Sequence, residues 1–80
     1  MGEDYDALCD IRGDKCPMTY IKARITLEDL KPQQVMLVLI DYAPAVDNLR
    51  RNFTMEGQQV YGIEQVGPGE WRLRVRKLTA

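Results

Sequence analysis

The alternation of polar and apolar positions changes period along the chain, and each change marks an element. Leu8, Cys9, Asp10 and Ile11 form a short apolar-containing run closed by Gly13, so a brief first strand is predicted over residues 8–11. From residue 16 to about residue 30 the spacing becomes helical. Pro17 falls at the first helical position, where its missing N–H costs nothing, and Pro32 is the stop. At about 100° per residue this helix carries two apolar stripes. Tyr20, Ala23, Leu27 and Leu30 lie on one side, and Met18, Ile21 and Ile25 lie nearly opposite. Only one stripe can face a sheet. The first reaches further along the helix and is assigned to the core, which leaves Met18, Ile21 and Ile25 at least partly exposed.

Val35-Met36-Leu37-Val38-Leu39-Ile40 is continuously apolar, the pattern of a central strand covered on both faces or nearly so. Two strands joined by a helix of this length imply a parallel βαβ crossover. A second helix is expected from about Pro44 to Glu56, burying Val46, Leu49 and Phe53, turning Asp47, Asn48, Arg50 and Arg51 to water, and stopping at Gly57. The remaining chain reads as a hairpin, with strands near residues 59–66 and 70–78 around Gly67-Pro68-Gly69. Trp71, Leu73 and Val75 point one way, and Arg72, Arg74 and Arg76 the other, with Lys77 beyond. The order βαβαββ predicts an α+β fold: a two-layer α/β sandwich with a mixed four-stranded sheet and two helices on one face.

Length and composition narrow the function. With 80 residues the chain is expected to be one domain, residues 1–6 forming a flexible N-terminus. A net charge of −1 argues against bulk electrostatic binding of DNA. No apolar run approaches a membrane span, and the acidic start lacks the features of a signal peptide, so a cytoplasmic location with no membrane contact is expected. There are two cysteines and no histidine. This makes a structural zinc site improbable, removes Cys-His activation, and leaves neither metal nor resident cofactor in the expectation. A disulfide between Cys9 and Cys16 is disfavoured, and Cys9 reads as a small buried core residue.

What chemistry remains lies at Cys16. A thiol at a helix N-terminus meets unpaired backbone N–H groups and the positive end of the macrodipole, both of which favour the thiolate. Arg12 and Lys15 add positive charge nearby. The strip of Met18, Ile21 and Ile25 beside the thiol suggests a docking surface. The row of Arg72, Arg74 and Arg76 is either a solvated outer face or a contact for RNA phosphates or an acidic partner. Two rival readings stand beside thiol chemistry: a non-catalytic protein-binding or regulatory module in which Cys16-Pro17 only caps a helix, and a redox switch using Cys9 and Cys16.

Asp10-x-Arg12-Gly13-x-x-Cys16-Pro17, followed by a helix ending Leu27-Glu28-Asp29-Leu30, resembles the TusA/SirA-like sulfurtransferase family. The likeness continues through the Val35 to Ile40 strand, Asp41-x-x-Pro44 and the final Trp-Arg-x-x-Val-Arg-Lys stretch. It implies a two-layer sandwich in which Cys16 accepts sulfane sulfur as a persulfide and passes it on. The donor would be a cysteine desulfurase or a rhodanese-type protein. The acceptor would be a downstream protein serving tRNA thiolation, molybdenum cofactor assembly or sulfur oxidation. Arg12, Gly13, Lys15, Pro17 and Asp41 are the supporting positions, Arg12 holding or screening the anionic sulfur. The family's usual Cys-Pro-x-Pro has Thr19 in place of its second proline. The acid that often precedes the proline of the second helix is Ala43 here, with Asp41 two positions earlier. Thr19 is expected to keep a first-turn position and satisfy a backbone donor.

Overall fold

The computed structural model describes residues 5–15 and 17–79. Its elements are β1 (Ala7–Asp10), α1 (Met18–Glu28), β2 (Val35–Ile40), α2 (Ala43–Met55), β3 (Gln59–Gly67) and β4 (Glu70–Arg76). The sheet order is β1-β2-β4-β3. β1 runs parallel to β2, and β4 is antiparallel to both of its neighbours. The fold is the expected α+β arrangement, with the apolar run of β2 in an interior position.

Alternation along the strands sorts the sheet into two faces. Cys9, Met36, Val38, Ile40, Leu73 and Val75 point to one side and form a single core with Ala23 and Leu27 of α1 and Ala45, Leu49 and Phe53 of α2. Both helices therefore lie on that face. α1 buries Thr19, Ala23 and Leu27, spaced four apart, with Tyr20 and Leu30 packed on the flanks. Phe53 is fully buried, its ring centroid 5.5 Å from that of Tyr20.

Several local expectations shift. α1 begins at Met18 and ends at Glu28, shorter than the predicted span, and Pro17 takes the N-cap position rather than the first helical one. In α2 the buried stripe runs Ala45, Leu49, Phe53; Val46 is only partly covered, because the small Ala45 side chain is the one turned toward the sheet. Asn48 is half-buried rather than water-facing, and its Oδ1 is shielded from solvent with no hydrogen-bond partner among the described residues. Gly57 ends α2 with φ +91°, a conformation that costs glycine little and other residues more. Ile11 lies beyond β1 yet is fully buried. Asp6 is tied to Val35 by two hydrogen bonds, its N–H donating to the carbonyl at 2.7 Å and its Oδ2 accepting from the Val35 N–H at 2.8 Å.

Lys77 does more than follow the last strand. Its Nζ donates to the Leu30 carbonyl at 2.7 Å and the Glu28 carbonyl at 3.3 Å, a cation on the C-terminal end of α1. Its own backbone exchanges bonds with Gln33 and Gln34. Among the described residues, no helix is long and apolar enough to cross a membrane.

Candidate functional site

The chain leaves β1 through residues 11–15, and this turn is held from two sides. The Asp14 N–H donates to the Ile11 carbonyl at 3.1 Å, with Gly13 at φ +90° in the third position, as a type II turn requires. A Cβ at Gly13 would meet nothing within 4 Å, so the constraint there is backbone conformation alone. The Gly13 N–H donates to Asp41 Oδ1 at 2.8 Å. That bond ties the loop after β1 to the loop after β2, which the parallel pairing places at the same end of the sheet. Asp41 thus braces the turn that leads into α1.

Arg12 is committed to Asp10. Its Nε donates to Oδ1 at 2.9 Å, its Nη2 to Oδ2 at 2.8 Å, and its backbone N–H to Oδ1 at 3.1 Å. The Arg12 side-chain hydrogen bonds hold the Asp10 carboxyl down at about 2. Arg12 therefore frames the turn as half of a pair and is not a lone cation. Because the folded pKa lies below the ordinary carboxylate value, the pair's stabilisation is present above about pH 4 and is lost as pH falls through about 2. Asp10→Asn should lower the melting temperature at pH 7, and the gap from the parent should have largely closed at pH 2. With side chains 44% and 47% exposed, solvent screening limits the effect to about 1 kcal/mol or less. A thermal-melt series across that range checks the sign.

The start of α1 is built from its neighbours. The Lys15 carbonyl accepts from the Met18 N–H at 2.8 Å and the Thr19 N–H at 3.3 Å, and the Pro17 carbonyl accepts from Ile21 at 3.1 Å. Pro17, the N-cap residue, makes no side-chain cap bond. Cys16 lies outside the described residues; the residues on either side of it define the turn from which α1 springs. Lys15 is exposed and has no ion pair among the described residues, whereas Lys22 bonds Asp14 at 2.8 Å. Thr19 does not satisfy a backbone donor as expected. It is fully buried, and its Oγ1 has no hydrogen-bond partner among the described residues.

Along α1, Met18, Ile21 and Ile25 are 44%, 42% and 58% exposed, an apolar strip on the solvent side of the helix. The arginine row lies on the other face of the sheet, away from α1. Arg72 bonds Glu64 at 2.8 Å, Arg76 sits 5.4 Å over the Tyr61 ring, and Arg74 is half-buried opposite Leu37 and Tyr61. Val35 and Leu37 share this face and are only 6% exposed although no helix covers them; arginine stems shield them. The structure thus brings Arg12, Gly13, Lys15, Pro17, Met18 and Asp41 to one end and leaves Arg72, Arg74 and Arg76 on a separate face.

Cys9 is buried in the core and unbridged, and burial raises its thiol pKa, which disfavours the thiolate. An open groove of about 420 Å³ near the C-terminal end of α1, lined by Arg24, Glu28, Glu56, Gln58 and Lys77, escaped the sequence reading. Its charges are mixed in sign, and the Lys77 ammonium in its wall is already bonded to the Glu28 and Leu30 carbonyls. Among the described residues, no group of three or more His, Cys, Asp or Glu is placed to hold a metal.

Comparison with known proteins identifies the family and the fold. The family model for sulfurtransferase TusA matches residues 8–77. A protein of Archaeoglobus fulgidus is 40% identical over 68 residues, covering 85% of this chain and 77% of its own length. One from Thermotoga maritima is 31% identical over 67 residues, covering 84% and 85%. Both bear the name "Putative sulfur carrier protein". The crystal structure of a SirA-like protein from Desulfitobacterium hafniense superposes with a TM-score of 0.81 at 23% identity, covering 92% of this chain and all of that one, and so shares the fold. With the strand, Arg-Gly turn and Cys-Pro helix start all inside the matched region, the chain belongs to the sulfurtransferase TusA family.

Proposed function

We propose that this protein is a sulfur carrier that accepts and donates sulfane sulfur as a persulfide on Cys16. The observation that supports the reading best is the residue's setting within the matched family region: it lies between Lys15, whose carbonyl closes the first turn of α1, and the N-cap Pro17. A helix start favours the anionic form of a thiol and needs no histidine, and the chain has none. In the loading step the Cys16 thiolate attacks the outer sulfur of a donor persulfide. The new S–S bond forms on Cys16 while the donor's S–S bond breaks, and its electron pair leaves on the donor thiolate. The thiol proton goes to solvent beforehand, and no net oxidation occurs. Unloading is the same step with an acceptor thiolate as the attacker.

The donor would be of the cysteine desulfurase or rhodanese class, and the acceptor a protein feeding a thiolation pathway such as that of tRNA. Lys15 would supply field, Arg12 and Asp41 would hold the turn, and Met18, Ile21 and Ile25 would form the contact with each partner. Incubation with a cysteine desulfurase and cysteine, followed by peptide mass spectrometry, tests the reading. Gain of one sulfur atom on the Cys16 peptide is expected, and gain confined to Cys9 would sink it. Ile21→Lys, a change at an exposed position, should leave the melting curve intact and weaken donor binding about tenfold, as loss of an interface anchor does. Unchanged affinity by calorimetric titration would remove the strip from the contact.

A further inference from the structure

Charges along the solvent side of α1 are arranged against the helix's own dipole. Lys15 stands exposed at the N-terminal end, and Glu28 and Asp29 stand exposed at the C-terminal end. A helix dipole favours the reverse, anions at the start and cations at the end. α1 has no acid in its first turn and no base in its last. Lys77 answers the Glu28 and Leu30 carbonyls from beyond β4, and Lys31 lies past the helix end. The charges between are matched locally: Lys22 bonds Asp14 at 2.8 Å, and Arg24 bonds Glu28 at 3.3 Å. Lys15 and Asp29 have no ion pair among the described residues, so one unmatched charge of each sign remains, at opposite ends. Between them run Met18, Ile21 and Ile25, exposed and spaced three and four apart, the spacing by which one helix packs along another.

We propose that α1 is the contact through which two copies of this chain associate, packed antiparallel about a two-fold axis, with Lys15 of each copy against Asp29 of the other. An apolar strip with a cation at one end and an anion at the other complements itself when turned end for end. A second copy carries the same two charges at the same separation, so both pairs form together. Each Asp29 then lies beside the start of the opposite helix and each Lys15 beside its end, where the dipoles favour them. Lys22 falls near the axis, and its bond to Asp14 offsets the approach of like charges there. The contact is small, with three apolar side chains from each copy, so the association is weak and reversible. Because the same strip is assigned above to sulfur donors and acceptors, the dimer is an idle form that a partner must displace. That consequence rests on the carrier reading; the pairing itself does not.

Sedimentation equilibrium of the full chain from micromolar to millimolar concentration, with no sulfur donor present, tests the pairing. A monomer–dimer equilibrium is expected. Ile25→Asp, at an exposed position, should weaken it at least about tenfold, as loss of an interface anchor does. Lys15→Glu and Asp29→Lys should each weaken it about tenfold, since each turns both ion pairs of the dimer into repulsions. The double variant Lys15→Glu with Asp29→Lys restores the attraction with the signs exchanged, and its association should return to the parental value. A thermal melt of each variant shows that the folded chain is what sediments. Should Ile25→Asp fail to fold, the three charge variants carry the test. A monomer at every concentration overturns the inference, as does a dimer indifferent to Ile25→Asp. Weakening in both single charge variants without recovery in the double overturns the antiparallel arrangement. Persulfide formation on Cys16 in a chain that stays monomeric would remove the pairing and keep the carrier; a dimer that takes up no sulfur would do the reverse.

Discussion

Cys16→Ser is expected to abolish sulfur uptake while leaving the folded chain essentially as stable as before. A serine hydroxyl is not ionised near neutral pH and is a poor nucleophile toward a sulfane sulfur, so no partial activity remains to be rescued. Among the described residues, α1 is held by the Lys15 and Pro17 carbonyls at its start, Ala23 and Leu27 in the core, and Lys77 at its end. The melting temperature should therefore move little. This separates sulfur transfer from a capping role, because serine is among the best helix caps and would replace Cys16 without loss if capping were its purpose. Mass spectrometry of the donor-treated variant, beside a thermal melt, gives both readings from one preparation. Normal transfer in the serine variant would end the persulfide assignment.

Phe53→Ala carries the largest expected cost in stability. Phe53 is fully buried where α2 meets the sheet and α1, and Tyr20 rests against its ring. Truncating a buried phenylalanine costs about 3–5 kcal/mol through lost transfer free energy and the cavity left behind. A domain of this size is stable by only about 4–12 kcal/mol in total. The urea midpoint should fall sharply, and a substantial unfolded fraction should be present near physiological temperature. Met55→Ala, at a side chain 84% exposed on the same helix, is the control and should change stability by no more than about 0.5 kcal/mol. A small loss at Phe53 would mean that Tyr20 and Leu49 repack into the space.

Much of this architecture is legible in the sequence because it depends on period and punctuation. β2 is read to the residue, since a strand buried on both faces is a continuous apolar run with no ambiguity of phase. The exposed strip of Met18, Ile21 and Ile25 also follows from helical phase, because a helix with two apolar sides must leave one uncovered here. What escapes depends on contacts across long sequence separations. Asp41 reaches Gly13 from 28 positions away, and Lys77 reaches the end of α1 from 47 and 49. Neither has a local signature. Other misses had one. Asp10 and Arg12 leave the strand end two apart, where paired side chains share a face, and Thr19 continues the spacing of Ala23 and Leu27 into the core. Glu64 meets Arg72 only through the register set by a shift between Tyr61 and Glu64, which turn chemistry alone does not encode.

The strand order has a consequence for how the molecule is made. β4 is the last strand of the described sheet to leave the ribosome, yet it occupies an interior place between β2 and β3. Leu73 and Val75 supply a fully buried part of the core, and Lys77 just beyond them terminates the first helix. A nascent chain lacking these residues has a β2 with one side unpaired and an α1 whose final carbonyls have found no cation. The β3–β4 hairpin can form on its own local contacts, but only its docking completes the sheet. Completion of the sheet therefore waits on β4, and with it the part of the core that Leu73 and Val75 supply.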